Sequence, residues 1–137
     1  MIVLIDNDIL IDVALNRLPH VTSAAELLDA VERRVLTGFV AWHSIANFYY
    51  LVQPVRGSSE TKEFVVDLLR FVEVAPTSTE SARYATGLLM RDFEDALQAS
   101  AAVACGASAI ATRNIRDYAR SPVRAITPMA LLKELVE

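Results

Sequence analysis

Apolar residues arrive along this chain in two alternating rhythms, and the alternation predicts its architecture. Ile2-Val3-Leu4-Ile5 is an unbroken β-prone run, the pattern of a strand covered on both faces. Asp6-Asn7-Asp8 ends it, and Ile9 to Leu15 reads as a short helix. Beyond the break at Leu18-Pro19-His20, Thr22 or Ser23 caps a helix from Ala24 to Arg34, with Leu27, Leu28 and Val31 as its apolar stripe. Val35 to Val40 is a second strand, and His43 to Val52 a helix carrying Ile45, Phe48, Tyr49 and Val52 at helical spacing. Pro54, Gly57, Ser58 and Ser59 predict the clearest loop. A helix from Ser59 or Thr61 to Arg70, a short strand Phe71–Val74 and a helix from Glu80 to about Leu89 follow. Ala96 to Cys105 is an apolar helix closed by Gly106. Ala107 to Ala111 is a small-residue strand stopping at Thr112, and Arg124 to Ile126 is a last strand. Thr127-Pro128 then opens a final helix from Met129 to Val136.

Strands alternate with helices throughout, and no hairpin turn signal intervenes. The expected fold is α/β, a three-layer α/β/α sandwich with a mostly parallel central sheet, built as one domain over residues 1–137. In such sheets ligands gather beyond the carboxyl ends of strands. Asp6 and Thr112-Arg113-Asn114 occupy two of those ends.

Composition narrows the function classes. An apolar fraction of 53% with a mean hydropathy of +0.33 is high, and points to an oligomer or a protein partner covering part of the surface. No apolar run approaches the ~20 residues that span a bilayer. Met1 to Ile5 lacks a basic start and a cleavage site, so no membrane association and a cytoplasmic location are expected. One cysteine makes neither a disulfide nor a zinc site, which leaves Cys105 as a small core residue. The net charge of −4 argues against a broad nucleic-acid-binding surface. Arg113, Arg116, Arg120 and Arg124 nevertheless form a local cationic run compatible with a small nucleic-acid-binding surface. Trp42, Phe48, Tyr49 and Tyr50 are expected in the core or a dimer interface rather than as platforms for bases.

Asp6, Asp95 and Asp117 each stand beside an apolar segment rather than in a charged run. Carboxylates brought together without cations repel and raise each other's pKa. A hard divalent ion such as Mg²⁺ or Mn²⁺ removes that cost, and needs only one or two carboxylates while keeping waters for a phosphate and an attacking water. Asp6 and Asp95 are therefore expected to meet in a metal-binding acidic cleft. Asp92, one turn before Asp95, is either an additional ligand or a favourable charge at the helix N-terminus. Glu94 is expected to face solvent, and His20 and His43 stand isolated in the sequence.

Three patches carry a family resemblance: Val3-Leu4-Ile5-Asp6-Asn7-Asp8-Ile9-Leu10, Asp92-Phe93-Glu94-Asp95-Ala96-Leu97-Gln98 and Ala111-Thr112-Arg113-Asn114-Ile115-Arg116-Asp117-Tyr118. In order and spacing they resemble the PIN-domain proteins, a small Mg²⁺/Mn²⁺-dependent ribonuclease fold that includes the VapC-like toxins of bacterial toxin–antitoxin pairs. The resemblance implies RNA cleavage with metal-activated water, a homodimer and an antitoxin partner. It matches Asp6 to the family's first acid, Asp95 to the acid opening the central helix, Asp117 to the acid before the aromatic, and Thr112 to the hydroxyl at the strand end. Asn114 stands where the family usually has an acid after Thr-Arg, and Asn47 takes the place of the acid on the helix after the second strand. Arg113, Arg116 and Arg120 are the implied RNA contacts.

Two amides in place of two carboxylates weaken the attraction for a divalent ion, and an amide cannot act as a base. A second reading is therefore a catalytically degenerate PIN domain that binds RNA or protein. A third is a haloacid-dehalogenase-type hydrolase, from the Asp6-x-Asp8 spacing after a strand. That chemistry needs a lysine near the aspartate, and the chain has only Lys62 and Lys133.

Overall fold

The computed structural model describes residues 1–137. β1 (Ile2–Ile5) lies at the middle of a five-stranded sheet of order β3-β2-β1-β4-β5. β2 (Thr37–Val40) and β4 (Ala109–Ala111) pair with its two edges, β3 (Val72–Val74) and β5 (Ala125–Ile126) complete the sheet, and every pairing is parallel. Val3, Leu4 and Ile5 are wholly buried, as an unbroken apolar strand in a doubly covered sheet should be. Because side chains alternate across a strand, Val3 and Ile5 join one core cluster and Leu4 the other, on opposite faces of the sheet. The three-layer sandwich follows from that split.

α1 (Asn7–Ala14) and α2 (Val21–Glu32) lead from β1 to β2, and α3 (Trp42–Arg56) and α4 (Ser58–Leu68) lead from β2 to β3. α5 (Thr79–Thr86) and α6 (Phe93–Ala104) cross back to β4, a 3-10 turn at Ile115–Tyr118 precedes β5, and α7 (Pro128–Leu135) follows it. α6 packs on β1 and β4 through Ala99, Ala101 and Ala102, all buried; with only methyl groups on that face, the helix sits close to the sheet. None of the helices is long and apolar enough to cross a membrane.

The expected loop at Pro54, Gly57, Ser58 and Ser59 is absent as such. Pro54 lies inside α3, which runs on to Arg56, and Ser58 already begins α4. Pro54 and Tyr50 are both exposed, so the hydrogen bond missing at Pro54 falls on the solvent-facing side of α3. The reversal is left to Gly57 alone, at φ +83°, where any side chain would be strained. α2 also ends at Glu32, two residues short of expectation, because Arg34 takes a left-handed conformation (φ 64°). Cys105 is half-buried at the end of α6.

The chain builds outward from β1 through β2 to β3, then returns to add β4 and β5 on the other side. The order thus reverses between β1 and β4, and a crevice opens there beyond the strand ends. Ile5 is in register with Ala111, and the Asp6 amide donates to the Ala111 carbonyl at 2.9 Å. Asp6 and Thr112 leave the sheet side by side.

Candidate active site

Asp6 is the first residue past β1 and the N-cap of α1, its extended backbone placing Oδ1 2.7 Å from the Asn7 amide. Three further donors reach it from distant segments. Gln98 Nε2 donates to Oδ1 at 3.1 Å, Thr112 Oγ1 to Oδ2 at 2.9 Å, and the Tyr118 hydroxyl to Oδ2 at 3.0 Å. Only 6% of Asp6 is exposed, and that burial pushes its pKa up despite the hydrogen bonds from Thr112, Tyr118 and Asn7. Burial likewise raises the Tyr118 hydroxyl, with the charges of Asp6 and Asp95 adding to it.

Asp95 approaches from the other side of the crevice. Asp92 is the N-cap of α6, with Oδ1 accepting from the Asp95 amide at 3.1 Å. Glu94 and Asp95 occupy the first helical turn, where the dipole favours negative charge. Burial pushes Asp95 up to about 7, and Asp92, Glu94, Asp6 and Asp117 each add repulsion. Asp95 and Asp117 line a cleft of about 690 Å³ together with Asp92, Arg91, Arg116 and Arg120. None of Asp6, Asp95 and Asp117 has an ion-pair partner.

The loop after β4 is stitched to α1 by Asp8, which the Asp6-x-Asp8 spacing marks in the sequence but does not tie to that loop. Asp8 Oδ2 accepts from the Arg113 amide at 3.0 Å and Asn114 Nδ2 at 3.2 Å, and lies 3.2 Å from Thr112 Oγ1, whose single proton it shares with Asp6. Burial, then the neighbouring Asp6 charge, raises Asp8 to about 6. Asn114 thereby commits its amide nitrogen to Asp8, and its backbone N–H donates to Thr112 Oγ1 at 3.0 Å. Asn47 lies half-buried on α3 without a side-chain hydrogen bond.

The arginine run divides. Arg113 turns inward, donating from Nε and an Nη to the two carboxylate oxygens of Asp12 at 2.6 and 3.1 Å. Asp12 is wholly buried, so withdrawing Arg113 to reach a phosphate would strand a carboxylate in the core. Arg124 pairs with Glu134 at 2.7 and 3.0 Å. Of this run only Arg116 and Arg120 line the cleft, which Arg91 also borders.

Two expectations are corrected on α6 and α3. Glu94 does not simply face solvent and His43 is not isolated: His43 Nε2 lies 2.8 Å from Glu94 Oε2. Gln98, wholly buried, has no role assigned from the sequence; the signal available there is an amide three residues after Asp95 in an alanine-rich helix. Its Nε2 also donates to Ser44 Oγ at 2.8 Å, tying α6 to α3.

A family model described as PIN domain matches residues 2–116. The chain belongs to the PIN-domain family. A chain in the crystal structure of VapBC2 from Rickettsia felis, bound to a DNA fragment from their promoter, superposes with a TM-score of 0.73 at 20% identity, over 93% of this chain and 98% of that one. At that identity the likeness is one of fold. No curated protein matches the chain.

PIN nucleases in general use divalent metals, and this PIN domain's donor set suits such an ion. The acids are oxygen donors without cationic partners, and three buried acceptor atoms, Asn7 Oδ1, Asp8 Oδ1 and Gln98 Oε1, receive no hydrogen bond. No three His, Cys, Asp or Glu side chains form a ready-made cage. That arrangement fits an ion held by one or two carboxylates with its remaining positions on water.

The raised carboxyl groups carry a consequence for pH. Asp6, Asp8 and Asp95 all titrate above the ordinary 3.8, Asp8 near 6 and Asp95 near 7. Between pH 4 and 7 the folded, metal-free chain holds protons that the unfolded chain has released, so stability falls as pH rises through that window. Melting followed by circular dichroism should give a lower Tm at pH 8 than at pH 5 without metal. Excess Mg²⁺ or Mn²⁺ should narrow the gap at pH 8. A metal-free Tm that rises from pH 5 to 8 would contradict the assignment of these carboxyls as unpaired.

Proposed function

We propose that this chain is a metal-dependent endoribonuclease, one PIN unit over residues 1–137, and the toxin of a toxin–antitoxin pair. The observation carrying the proposal is the juxtaposition at the sheet's switch point. Asp6, Asp95 and Asp117 are left without counter-charges, beside a cleft whose rim carries Arg116 and Arg120. When bound there, Mg²⁺ or Mn²⁺ supplies Lewis-acid polarisation of the scissile phosphate and lowers the pKa of an attacking water. The chain's own residues do the positioning. Asp6 is held rigidly by four donors, Thr112 and Tyr118 among them, while Asp95 and Asp117 approach from the helix and the turn. Asn114, its nitrogen anchored on Asp8, offers only a neutral oxygen. Arg116 and Arg120 balance the charge of the RNA backbone.

Incubation of an RNA pool with the purified protein should give cleavage that requires Mg²⁺ or Mn²⁺ and stops with chelator. Arg116→Ala and Arg120→Ala should each weaken RNA binding across sequences and lower the slope of log K against log salt by about 1. An unchanged salt slope in both variants would remove the cleft from the RNA path.

The antitoxin partner is supported by the fold neighbour, a VapBC assembly on promoter DNA. Tyr50, Leu51, Val55 and Val66, between 57% and 74% exposed on α3 and α4, offer apolar surface to an antitoxin or to a second copy in a homodimer. The second reading, a degenerate PIN domain that binds without cleaving, is favoured by the amides at Asn47 and Asn114. Intact RNA under all metal conditions, with retained RNA or protein binding, would select it. The haloacid-dehalogenase reading loses its footing, since Lys62 lies in α4 and Lys133 in α7, neither at a strand end.

A further inference from the structure

We propose that Trp42 and the pocket beside it form a subsite for one unpaired nucleobase of the RNA, next along the strand from the phosphate at Asp6 and Asp95. The inference rests on the ribonuclease reading above and deepens it with a determinant of sequence preference.

Position in the sheet is the first support. Trp42 opens α3 just beyond the carboxyl end of β2, and Asp6 stands at the same end of β1. β2 and β1 are neighbours, and neighbouring strands lie about 4.8 Å apart. Arg116 follows β4, on the other side of β1. A single RNA strand that runs along Arg116 and Arg120 and crosses Asp6 is thereby led to Trp42. The ring is available to it: Trp42 is 71% exposed, not the core residue its apolar character predicts. It also stands apart from the apolar surface of α3. The exposed residue one turn on is Ala46, and Tyr50 lies about 12 Å further along the helix axis. An isolated exposed tryptophan suits a stacked base better than a protein interface, which needs a contiguous apolar patch.

The pocket itself is the second support. At about 170 Å³ it is smaller than the cavities that take drug-sized ligands, and has room for a single planar ring system. Trp42 and His43 line it from α3, Leu97 from α6, and Thr77, Ser78 and Ser81 from the start of α5. Ser81 Oγ accepts from the Ser78 amide at 3.1 Å, which leaves its proton uncommitted. The hydroxyls of Thr77 and Ser78 donate to no protein group either. Hydroxyls that can both donate and accept, beside an aromatic face, are what an unstacked base requires along its edge. No lysine or arginine lines the pocket, so a phosphate has no counter-charge there. His43 is held in place, with Nε2 donating to Glu94 Oε2 at 2.8 Å. Glu94 and Leu97 share a face of α6, so this bridge stands between the base pocket and Asp95.

The test uses Trp42 as its own reporter, since it is the only tryptophan in the chain. The full-length protein is titrated with a short single-stranded RNA of mixed sequence, with Ca²⁺ in place of Mg²⁺ and the RNA shown intact on a gel. Binding, followed in parallel by anisotropy of end-labelled RNA, should quench the tryptophan emission saturably. A backbone of the same length without bases should bind more weakly and leave the emission unchanged. Trp42→Ala should weaken RNA binding about tenfold while keeping the wild-type salt slope, and Trp42→Phe should keep most of the affinity. The exposure of Trp42 means that neither substitution threatens folding. Thr77→Val should change the order of affinity for oligo(A), oligo(C) and oligo(U); an unchanged order would overturn the part given to the hydroxyls. RNA binding without quenching, and at wild-type affinity in Trp42→Ala, would overturn the subsite while leaving the ribonuclease reading intact. Emission that changes with protein concentration alone, in step with a doubling of mass, would overturn it in favour of a contact between two copies. A wild-type protein that neither binds nor cleaves RNA would overturn the ribonuclease reading and this inference with it.

Discussion

Asp6→Asn is expected to lower metal-dependent RNA cleavage at least about a hundredfold, because the polarisation a metal supplies is worth several kcal/mol and each 1.4 kcal/mol is tenfold in rate. The substitution removes charge while sparing the architecture. An asparagine oxygen still accepts from the Asn7 amide and caps α1. Thr112 and Tyr118, now facing a nitrogen, can turn their hydroxyls to accept rather than donate. Burial disfavours the charged form of Asp6, so the neutral amide should leave the Tm of the metal-free protein at pH 8 equal to or above that of the wild type. Cleavage of a fluorescent RNA and a melting curve on the same sample separate the two effects. Full activity in a folded Asp6→Asn would remove Asp6 from the metal site. Lost activity with a collapsed Tm would make its role structural.

Arg113→Ala should have the largest effect on stability, about 3–5 kcal/mol, because it strands the wholly buried Asp12 without its partner. Urea denaturation gives the measurement. Removing both charges, with Asp12→Leu added to Arg113→Met, should recover most of the loss, since a buried pair is often no better than an apolar one of similar volume. The contrast with Arg116 and Arg120 is the useful part. Those two should change RNA binding and leave the urea midpoint near wild type. Arg113→Ala with an unchanged midpoint, or with a reduced salt slope for RNA, would return Arg113 to the RNA-binding surface.

The layered α/β plan was legible along the chain because each segment's covering is written in its own periodicity. The run Ile2–Ile5 has no polar residue, so it requires apolar neighbours on both faces wherever it lies. The first carboxylate, Asp6, was legible for the same reason: it is the point at which that run stops, and a parallel sheet places strand ends together. Helix limits depart from the local sequence signal where a breaker meets tertiary support, as at Pro54, which the open face of α3 tolerates.

The partners within the site were decided by the tertiary structure. Gln98 meets Asp6 across 92 positions of sequence and Tyr118 meets it across 112. Helical spacing shows that Glu94, Asp95 and Gln98 share a face, but not what that face meets. The close seat of the alanine-lined α6 on the sheet turns Gln98 onto Asp6 and Glu94 onto His43. In the same way, four arginines close in sequence were sorted by what lay opposite them: a buried Asp12 for Arg113, an exposed Glu134 for Arg124, and an open cleft for Arg116 and Arg120. The chain by itself determined which segments must be buried and where its acids leave the sheet. Which charges are neutralised and which remain free for a ligand depended on packing, because a charge is balanced by its neighbours in space and local sequence does not specify them.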